Sequence, residues 1–274
     1  MIRLNGKPLE FKQFPNGEIM LDINDVDDYV FCNEVVMVDF RFETNADLFE
    51  LLILKKYLDD TCKKSKGLFI AYMPYSRMDR VSEAYAFTLK FVADFINSLN
   101  FDKVLIGEPH SDVTPALINR SLVSHYIKYL LPIAEREIGF DPAVDYIYWP
   151  DVTAEKRYSK ITSNPNQIIG MKERDFKTGK ITGLKTYGEI KGVKPKVIMV
   201  DDLCSRGGTF IMGARMLKEQ GAGDIYLVVG HCESTIFDGE ILTTDLIKKV
   251  YTTNSIIPLQ NAKEDSKIFT KDIF

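Results

Sequence analysis

The sequence lacks several features that would point to particular classes of protein. Its four cysteines lie far apart in the 274 residues and form no CxxC pair, and nothing at the N-terminus resembles a signal peptide, so a reducing cytoplasm is the expected compartment. No apolar run approaches the roughly 20 residues that a membrane helix needs, which predicts no membrane partner. Lysine and arginine number 35 against 39 aspartates and glutamates, so no general basic field exists to attract nucleic acid. Any affinity for phosphate must therefore be local.

What the sequence does contain is an alternation of short apolar runs, rich in β-branched residues, with longer segments of helical period. This pattern is typical of βαβ units and predicts an α/β fold with mostly parallel sheets flanked by helices. We expect two similar halves, with domains at residues 1–120 and 121–274. Residues 152–196 are polar and rich in turn formers, and we expect loops there around a strand or hairpin. The predicted strands are 34–42, 67–75, 101–109, 144–150, 196–200, 224–232 and 250–256, and the predicted helices are 45–64, 84–100, 125–139 and 209–222.

The stretch VIMVDDLCSRGGTF runs from an apolar strand into two carboxylates, a glycine pair and a threonine. In a parallel sheet the ligand site lies beyond the carboxyl ends of the strands, where helix N-termini present N–H groups to anions. Gly207 and Gly208 can turn backbone amides inward, and Thr209 can add a hydroxyl and cap the next helix, which suits a phosphate. Asp201 and Asp202 would repel that phosphate, so sugar hydroxyls or Mg²⁺ are their expected partners. The loop suits a ribose phosphate, although acids that merely end a strand and a Gly-Thr pair that merely starts a helix explain it equally well.

A hydrophobic strand followed by Asp-Asp and a loop ending in Gly-Thr resembles the ribose-phosphate loop shared by phosphoribosyltransferases and phosphoribosyl pyrophosphate synthetases. The resemblance implies that Ser205 and Arg206 also belong to the ribose-phosphate site. The loop of these families usually has a third Asp and a Thr at the two positions, so one carboxylate is lost here and one cation is gained. That change favours an acceptor with more negative charge beyond the 5-position than ribose 5-phosphate has, and ADP-ribose is our specific hypothesis.

Other stretches resemble the synthetases, also called ribose-phosphate pyrophosphokinases, and have no counterpart in the transferases. FPNGEIMLDI resembles the segment that holds the adenine of ATP across a subunit boundary, with Phe14, Asn16 and Glu18 at matching positions. An aromatic ring offers a stacking face, and the two polar groups can read the amine and ring nitrogens. YMPYSRMDR resembles the stretch on the phosphate side of ATP, which implies that Arg77 and Asp79 bind the nucleotide.

Two strand ends and one loop complete the resemblance. GEPHSD and WPD match the family's metal-linked positions, which implies that His110 approaches the metal and the ATP phosphates and that Asp151 is linked to the metal as well. GMKERD resembles the catalytic loop, in which Lys172 and Arg174 close over the transferring group. Taken singly, a packed histidine or a charged loop tip explains these residues too. The consistent order of six stretches over about residues 11–257 favours the synthetase family.

The resemblance implies attack by the anomeric hydroxyl of a ribose on the β-phosphorus of ATP, which moves a diphosphate to the sugar and releases AMP. Mg²⁺ is the expected cofactor, ATP and a ribose phosphate are the expected partners, and a homo-oligomer of at least two subunits is expected to share the ATP site. Two further departures from the family bear on this: Met78 replaces a usual glutamine, and VTAEKRY after Asp151 replaces a run with two glycines. A phosphoribosyltransferase, a catalytically silent regulatory homologue and a simple nucleotide-binding module are the alternatives.

Overall fold

The chain divides into two compact units, each with its own sheet and its own hydrophobic core. The first unit comprises Met1–Ser124 together with Phe274, and the second comprises His125–Ile273. The computed structural model describes residues 1–31, 33–81, 84–174, 181–259 and 266–274, with the side chains of 172–174 and 181–184 outside that description.

The first unit is built on a mixed, mostly parallel sheet. Its elements are β1 (Ile2–Leu4), β2 (Lys7–Leu9), β3 (Phe11–Gln13), β4 (Ile19–Leu21), α1 (Ile23–Phe31), β5 (Val35–Phe40), α2 (Ala46–Thr61), β6 (Ser65–Ile70), α3 (Thr88–Ser98), β7 (Lys103–Gly107), α4 (Val113–Leu117) and β8 (Ser121–Ser124). The strand order is β2-β1-β5-β6-β7-β8, with β5 to β8 parallel and β1 antiparallel to β5. Leu51, Leu54 and Leu58 recur at helical spacing on α2, and their burial in the core fixes that helix against the sheet. β3 and β4 form a separate hairpin.

The second unit is built on a seven-stranded sheet. Its elements are α5 (Ile127–Ile138), β9 (Tyr146–Trp149), α6 (Val152–Tyr158), β10 (Gln167–Arg174), β11 (Ile181–Tyr187), β12 (Val197–Cys204), α7 (Gly208–Glu219), β13 (Ile225–Cys232), a 3₁₀ helix (Ser234–Asp238), β14 (Lys249–Thr253) and β15 (Ile268–Lys271). The strand order is β11-β10-β9-β12-β13-β14-β15, and every neighbouring pair is parallel except β10 with β11. The first four residues of β12 are fully buried, as an apolar central strand requires. The carboxyl ends of β9, β12 and β13 therefore meet at one edge of the sheet.

The α/β fold expected from the sequence is confirmed. Every predicted strand overlaps an observed strand, every predicted helix overlaps an observed helix, and the expected hairpin is formed by β10 and β11. The expectation of a loop after Asp151 is wrong, because residues 152–158 form α6. That segment contains no glycine or proline to interrupt a helix, and Asp151 caps its first turn. Strands β1 to β4 are not predicted from the sequence, because each is only three residues long and too short to show a periodicity.

Candidate functional site

Acidic side chains collect at the carboxyl edge of the second sheet. Asp151 follows the end of β9 by two residues, and Glu233 directly follows β13. Asp201 and Asp202 lie on β12, beyond its last pairing with β9 at Met199. Ligands of open parallel sheets bind outside the carboxyl ends of the strands, so these residues lie where a ligand would lie. The structure thus brings together three of the acids that the sequence singles out and adds Glu233.

Three of these carboxylates, Asp151, Asp201 and Asp202, interact electrostatically. Burial is the largest cause that raises the pKa of Asp201 well above its ordinary value, and the charge of Asp202 and then that of Asp151 raise it further. The backbone N–H of Asp202 donates to Oδ1 of Asp201 at 2.9 Å and opposes that rise only in part. Such a group of acids favours hydrogen-bond donors or a cation in the space that it faces.

The short helix α6 is connected to this acidic group at both of its ends. Asp151 is its N-cap, and Oδ1 of Asp151 accepts a hydrogen bond from the backbone N–H of Ala154 at 3.0 Å. Arg157, in the last turn, forms an ion pair with Asp202 at 3.5 Å between Nη1 and Oδ2. Both side chains of the pair are largely buried, with 14% of Arg157 and 9% of Asp202 exposed. The sequence gives no sign of this pair, because the two residues are far apart along the chain.

The loop between β12 and α7 has the backbone geometry that an anion site needs. Gly207 has a φ of +80°, and a Cβ at this position would collide with Ile241, so only glycine fits without strain. Helix α7 begins at Gly208, where a Cβ would meet nothing within 4 Å, so the space beside this residue is open. Thr209, expected to cap the helix, lies within its first turn instead, because Gly207 occupies the N-cap position. The first-turn N–H groups can therefore face a phosphate.

Ser205 and Arg206, at the start of the same loop, are supported by the segment that follows β13. The Oγ of Ser205 lies 2.9 Å from Oγ1 of Thr235, which itself donates to Oε2 of Glu233 at 3.4 Å. Gly239 packs so closely against the backbone carbonyl of Arg206 that a side chain at 239 would not fit. The Arg206 side chain is exposed. Sequence reasoning missed these supports, although the end of the strand beside β12 is where they would be sought.

The strand that bears Lys172 and Arg174 extends past its neighbour. β10 pairs with β9 only as far as Ile169, so residues 170–174 are accompanied by β11 alone. Gly170 begins this overhanging arm and packs tightly against the hydroxyl of Tyr148. β10 and β9 are parallel, so the arm continues towards the edge where the acids lie. The side chains of the two predicted catalytic residues lie outside the described part of the structure.

The residues predicted to bind adenine lie at the tip of a hairpin in the first unit. The backbone N–H of Phe14 donates to the carbonyl of Glu18 at 2.8 Å, and Gly17 turns the chain with a φ of +88°. The backbone N–H of Glu18 also donates to Oδ1 of Asn16 at 3.2 Å. Phe14 is 49% exposed although its ring is apolar. An exposed aromatic ring on a formed turn is available to another molecule.

The other nucleotide-side residues follow two adjacent parallel strands of the first sheet. Arg77 and Asp79 come after β6, and His110 comes after β7. Asp79 forms an ion pair with the neighbouring Arg80 at 3.5 Å. Arg77 is exposed and His110 is partly buried. The three predicted residues thus share the carboxyl edge of the first sheet.

The acidic edge of the second sheet suits a hard cation that binds through few protein atoms. Among the described residues, no cluster of three or more His, Cys, Asp or Glu side chains forms a closed metal cage. Magnesium does not require one, because it usually binds one or two carboxylates and takes its other ligands from water and substrate phosphates. The carboxylate oxygens at this edge are the type of ligand that Mg²⁺ takes. Within the same described ranges, no helix is long and apolar enough to span a bilayer.

Comparison with known proteins gives one consistent result. Residues 2–99 match the family model for the N-terminal domain of ribose phosphate pyrophosphokinase, and residues 170–274 match that for the phosphoribosyl synthetase-associated domain. The ribose-phosphate pyrophosphokinase of Sulfurisphaera tokodaii is 27% identical over 97% of this chain and 88% of its own length. That of Fusobacterium nucleatum is 26% identical over 96% and 83%. The fold matches the phosphoribosylpyrophosphate synthetase of Mycobacterium smegmatis, with a TM-score of 0.73 at 20% identity over 97% of this chain and 86% of that one.

Proposed function

Because the chain belongs to the ribose-phosphate pyrophosphokinase family, we propose that it transfers the β,γ-diphosphate of ATP to a ribose 5-phosphate moiety. The anomeric oxygen of the sugar attacks the β-phosphorus, the bond to the α,β-bridging oxygen breaks, and AMP leaves. Such reactions depend mainly on positioning and on stabilisation of charge on the phosphate oxygens. The observation that carries the proposal is that the N-terminus of α7 and the carboxylates of Asp201 and Asp202 lie at one sheet edge, where they can bind the phosphate and the hydroxyls of a sugar phosphate.

The proposed acceptor site divides into two halves with different chemistry. The first turn of α7, from Gly208 and Thr209, holds the 5-phosphate with backbone N–H groups, and Gly207 provides the turn into it. Asp201 and Asp202 accept hydrogen bonds from the vicinal sugar hydroxyls. Arg157 holds Asp202 in place through the buried ion pair, so the carboxylate does not have to be ordered when the sugar arrives.

Magnesium is the proposed cofactor, with Asp151 and His110 as the proposed metal-linked residues. When bound with ATP, it supplies positive charge to the phosphate oxygens. The residues proposed to hold the nucleotide itself are Phe14, Asn16, Glu18, Arg77, Asp79 and His110. Lys172 and Arg174 are the proposed catalytic residues, because the arm that bears them extends past β9 on the side of Asp151. Their role is to stabilise charge on the transferring group.

We further propose that the acceptor carries a second phosphate beyond the 5-position, as ADP-ribose does. This rests on Arg206, whose guanidinium is exposed at the rim of the loop while its backbone is fixed against Gly239. An arginine in that position can bind an additional phosphate with paired hydrogen bonds. Ribose 5-phosphate has no second phosphate for it to bind, whereas the diphosphate of ADP-ribose provides one.

The test of both proposals is a product assay with two acceptors. The protein is incubated with Mg-ATP and either ribose 5-phosphate or ADP-ribose, and mass spectrometry detects AMP and an acceptor heavier by one diphosphate. AMP with either acceptor supports diphosphate transfer, and a higher kcat/KM for ADP-ribose supports the extended acceptor. A strong preference for ribose 5-phosphate would remove the second proposal and leave the first. Nucleotide binding without AMP would instead indicate a silent regulatory homologue, and activity with a nucleobase but no ATP a phosphoribosyltransferase.

A charge-removing variant tests the acceptor assignment more directly. Arg206→Ala should lower kcat/KM for ADP-ribose about tenfold, as expected for one charge-assisted hydrogen bond, and should change that for ribose 5-phosphate little. Arg215→Ala is the matched control, because Arg215 is an exposed arginine on α7 whose ion-pair partner is Glu240. Equal losses with both acceptors for Arg206→Ala would show that this arginine does not select the acceptor.

We also propose that the protein works as an oligomer of at least two subunits. The hairpin tip with Phe14 exposes an apolar ring beside polar groups, as expected if it completes the ATP site of a neighbouring subunit. Analytical ultracentrifugation tests the oligomeric state, and Phe14→Ala should raise the KM for ATP. A monomer with an unchanged ATP KM in this variant would contradict the proposal.

A further inference from the structure

A line of three polar side chains starts inside the ribose-phosphate loop and ends in a carboxylate. The Oγ of Ser205 and Oγ1 of Thr235 are 2.9 Å apart, and Oγ1 of Thr235 donates to Oε2 of Glu233 at 3.4 Å. The backbone N–H of Glu233 donates to the carbonyl of Cys204 at 2.8 Å, which ties the far end of the line to the residue before Ser205. Both ends of the line, Ser205 and Glu233, are therefore attached to the chain at residues 204 and 205.

By distance alone either hydroxyl of the Ser205–Thr235 pair can be the donor, and the carboxylate at the end of the line favours one direction. An ionised carboxylate only accepts, so the bond between Thr235 and Glu233 uses the single hydroxyl proton of Thr235. Thr235 then has no second proton, so it accepts the hydroxyl proton of Ser205. With its proton committed, Ser205 has only oxygen lone pairs to present to a ligand. The hydroxyl in the loop is thereby restricted to the role of acceptor.

The segment that carries Thr235 is held firmly against the loop. It is a 3₁₀ helix, Ser234–Asp238, that follows β13, and Ile236 within it is fully buried. Gly239 packs on the backbone of Arg206, and Ile241 occupies the space beside Gly207. Movement of Thr235 relative to Ser205 would therefore require the loop and the 3₁₀ helix to separate. The hydroxyl pair is positioned by packing as well as by its own hydrogen bond.

We propose that Thr235 and Glu233 are positioning residues that make Ser205 a hydrogen-bond acceptor for a hydroxyl of the acceptor sugar. The inference rests on the proposed function and adds the polarity of one of its contacts. A phosphate oxygen needs a donor, so Ser205 in this state does not bind the 5-phosphate, which is left to the first turn of α7. The loop thus separates a sugar-hydroxyl end at Ser205 from a phosphate end at Gly208.

A double-mutant cycle distinguishes this role from a purely structural one. Thr235→Val removes the link and leaves Ser205 able to donate, so the KM for the acceptor sugar should rise about five-fold, the effect of one neutral hydrogen bond, with the KM for ATP unchanged. Thr235→Ser keeps the hydroxyl and should restore the wild-type value. Thr235 acts through Ser205, so adding Thr235→Val to Ser205→Ala should raise the KM no further.

Two more variants complete the design. Glu233→Gln replaces the carboxylate by an amide that can either accept from Thr235 or donate to it, so one direction is no longer imposed on the hydrogen bonds and the acceptor KM should rise, by no more than in Thr235→Val. Thr243→Val is the matched control, because Thr243 is exposed and its hydroxyl bonds only locally, to the carbonyl of Glu240. If Thr235→Val does not fold, Thr235→Ser and Glu233→Gln carry the test.

The outcomes separate this inference from the proposed function. If the wild type neither forms AMP nor binds either acceptor in calorimetric titration, the proposed function fails and this inference fails with it. If the wild type is active but Thr235→Val and Ser205→Ala raise the acceptor KM independently, or if KM values for ATP and acceptor rise together, this inference alone is overturned. An acceptor KM in Glu233→Gln equal to that of the wild type would overturn it as well.

Discussion

The ion pair between Arg157 and Asp202 should be one of the strongest single interactions near the candidate site. At 3.5 Å, two unit charges attract each other by about 5 kcal/mol when the effective dielectric constant is about 20. Burial of both side chains, of which only 14% and 9% are exposed, removes hydration and offsets part of that attraction. We therefore expect a net coupling of about 2 kcal/mol between the two residues.

The assay is a double-mutant cycle on the free energy of unfolding. Arg157→Met should cost about 3 kcal/mol because it leaves Asp202 charged without this partner, and Asp202→Asn should cost about 2 kcal/mol. The double variant should cost about 3 kcal/mol in place of the additive value of about 5 kcal/mol. Urea unfolding can be followed by the fluorescence of Trp149, the only tryptophan, which is buried at the end of β9 directly before α6.

An exposed ion pair in the same unit gives the control for this cycle. Arg215 and Glu240 lie 3.3 Å apart, but 60% and 69% of their side chains are exposed, so solvent and salt screen them. Their coupling should be at most about 0.5 kcal/mol and should vanish at high salt, whereas that of Arg157 and Asp202 should persist. Equal couplings for the two pairs, or an additive cycle at 157 and 202, would refute the view that α6 holds the acid in place.

Two further predictions concern catalysis and acid stability. Lys172→Ala should lower kcat by at least about 100-fold, since one preorganised charge contact contributes roughly 3 kcal/mol, while urea unfolding stays unchanged; a near-normal kcat would contradict the assigned role. The backbone N–H of Lys66, at 2.7 Å, is the main cause that lowers the pKa of Asp102 below its ordinary value. This carboxylate therefore contributes stability above its unfolded-state pKa that is lost as the pH falls through the lowered value. Asp102→Asn should flatten the acid limb of the stability curve, measured by thermal unfolding from neutral to acid pH.

The sequence predicted the parts of the fold that depend on long periodic segments. Strands such as β12 and helices such as α2 repeat apolar residues over many positions, so their type and place can be read directly. The helix α6 was not predicted, because its seven residues show too little periodicity and follow a proline-containing turn. Its formation depends on the capping of one backbone N–H by Asp151 and on packing of Ala154 and Tyr158 into the core, which a linear pattern does not display.

The candidate site shows the same division between local and long-range information. Asp201, Asp202 and Gly207 lie in one continuous stretch, so the sequence can single them out together as a candidate ribose-phosphate loop, and the resemblance of other stretches supports that choice. Thr235 and Gly239 reach the same loop from the end of the neighbouring strand, about 30 residues later in the chain. Only the pairing of β12 with β13 brings them together. Such partners could be sought by applying the strand-end rule to adjacent strands as well as to the strand that bears the motif.

The electrostatics of the acidic edge connect the fold to the proposed reaction. Ionisation of Asp201 is costly because the residue is buried beside Asp202 and Asp151, and its raised pKa reflects that cost. Arg157 supplies a positive charge to Asp202 from the side of α6. Sugar hydroxyls or a magnesium-bound nucleotide would add hydrogen-bond donors or positive charge at this edge, whereas a phosphate placed there would add to the repulsion. In the proposed reaction, this repulsion would favour binding of the phosphate at the N-terminus of α7 and of the sugar hydroxyls at β12.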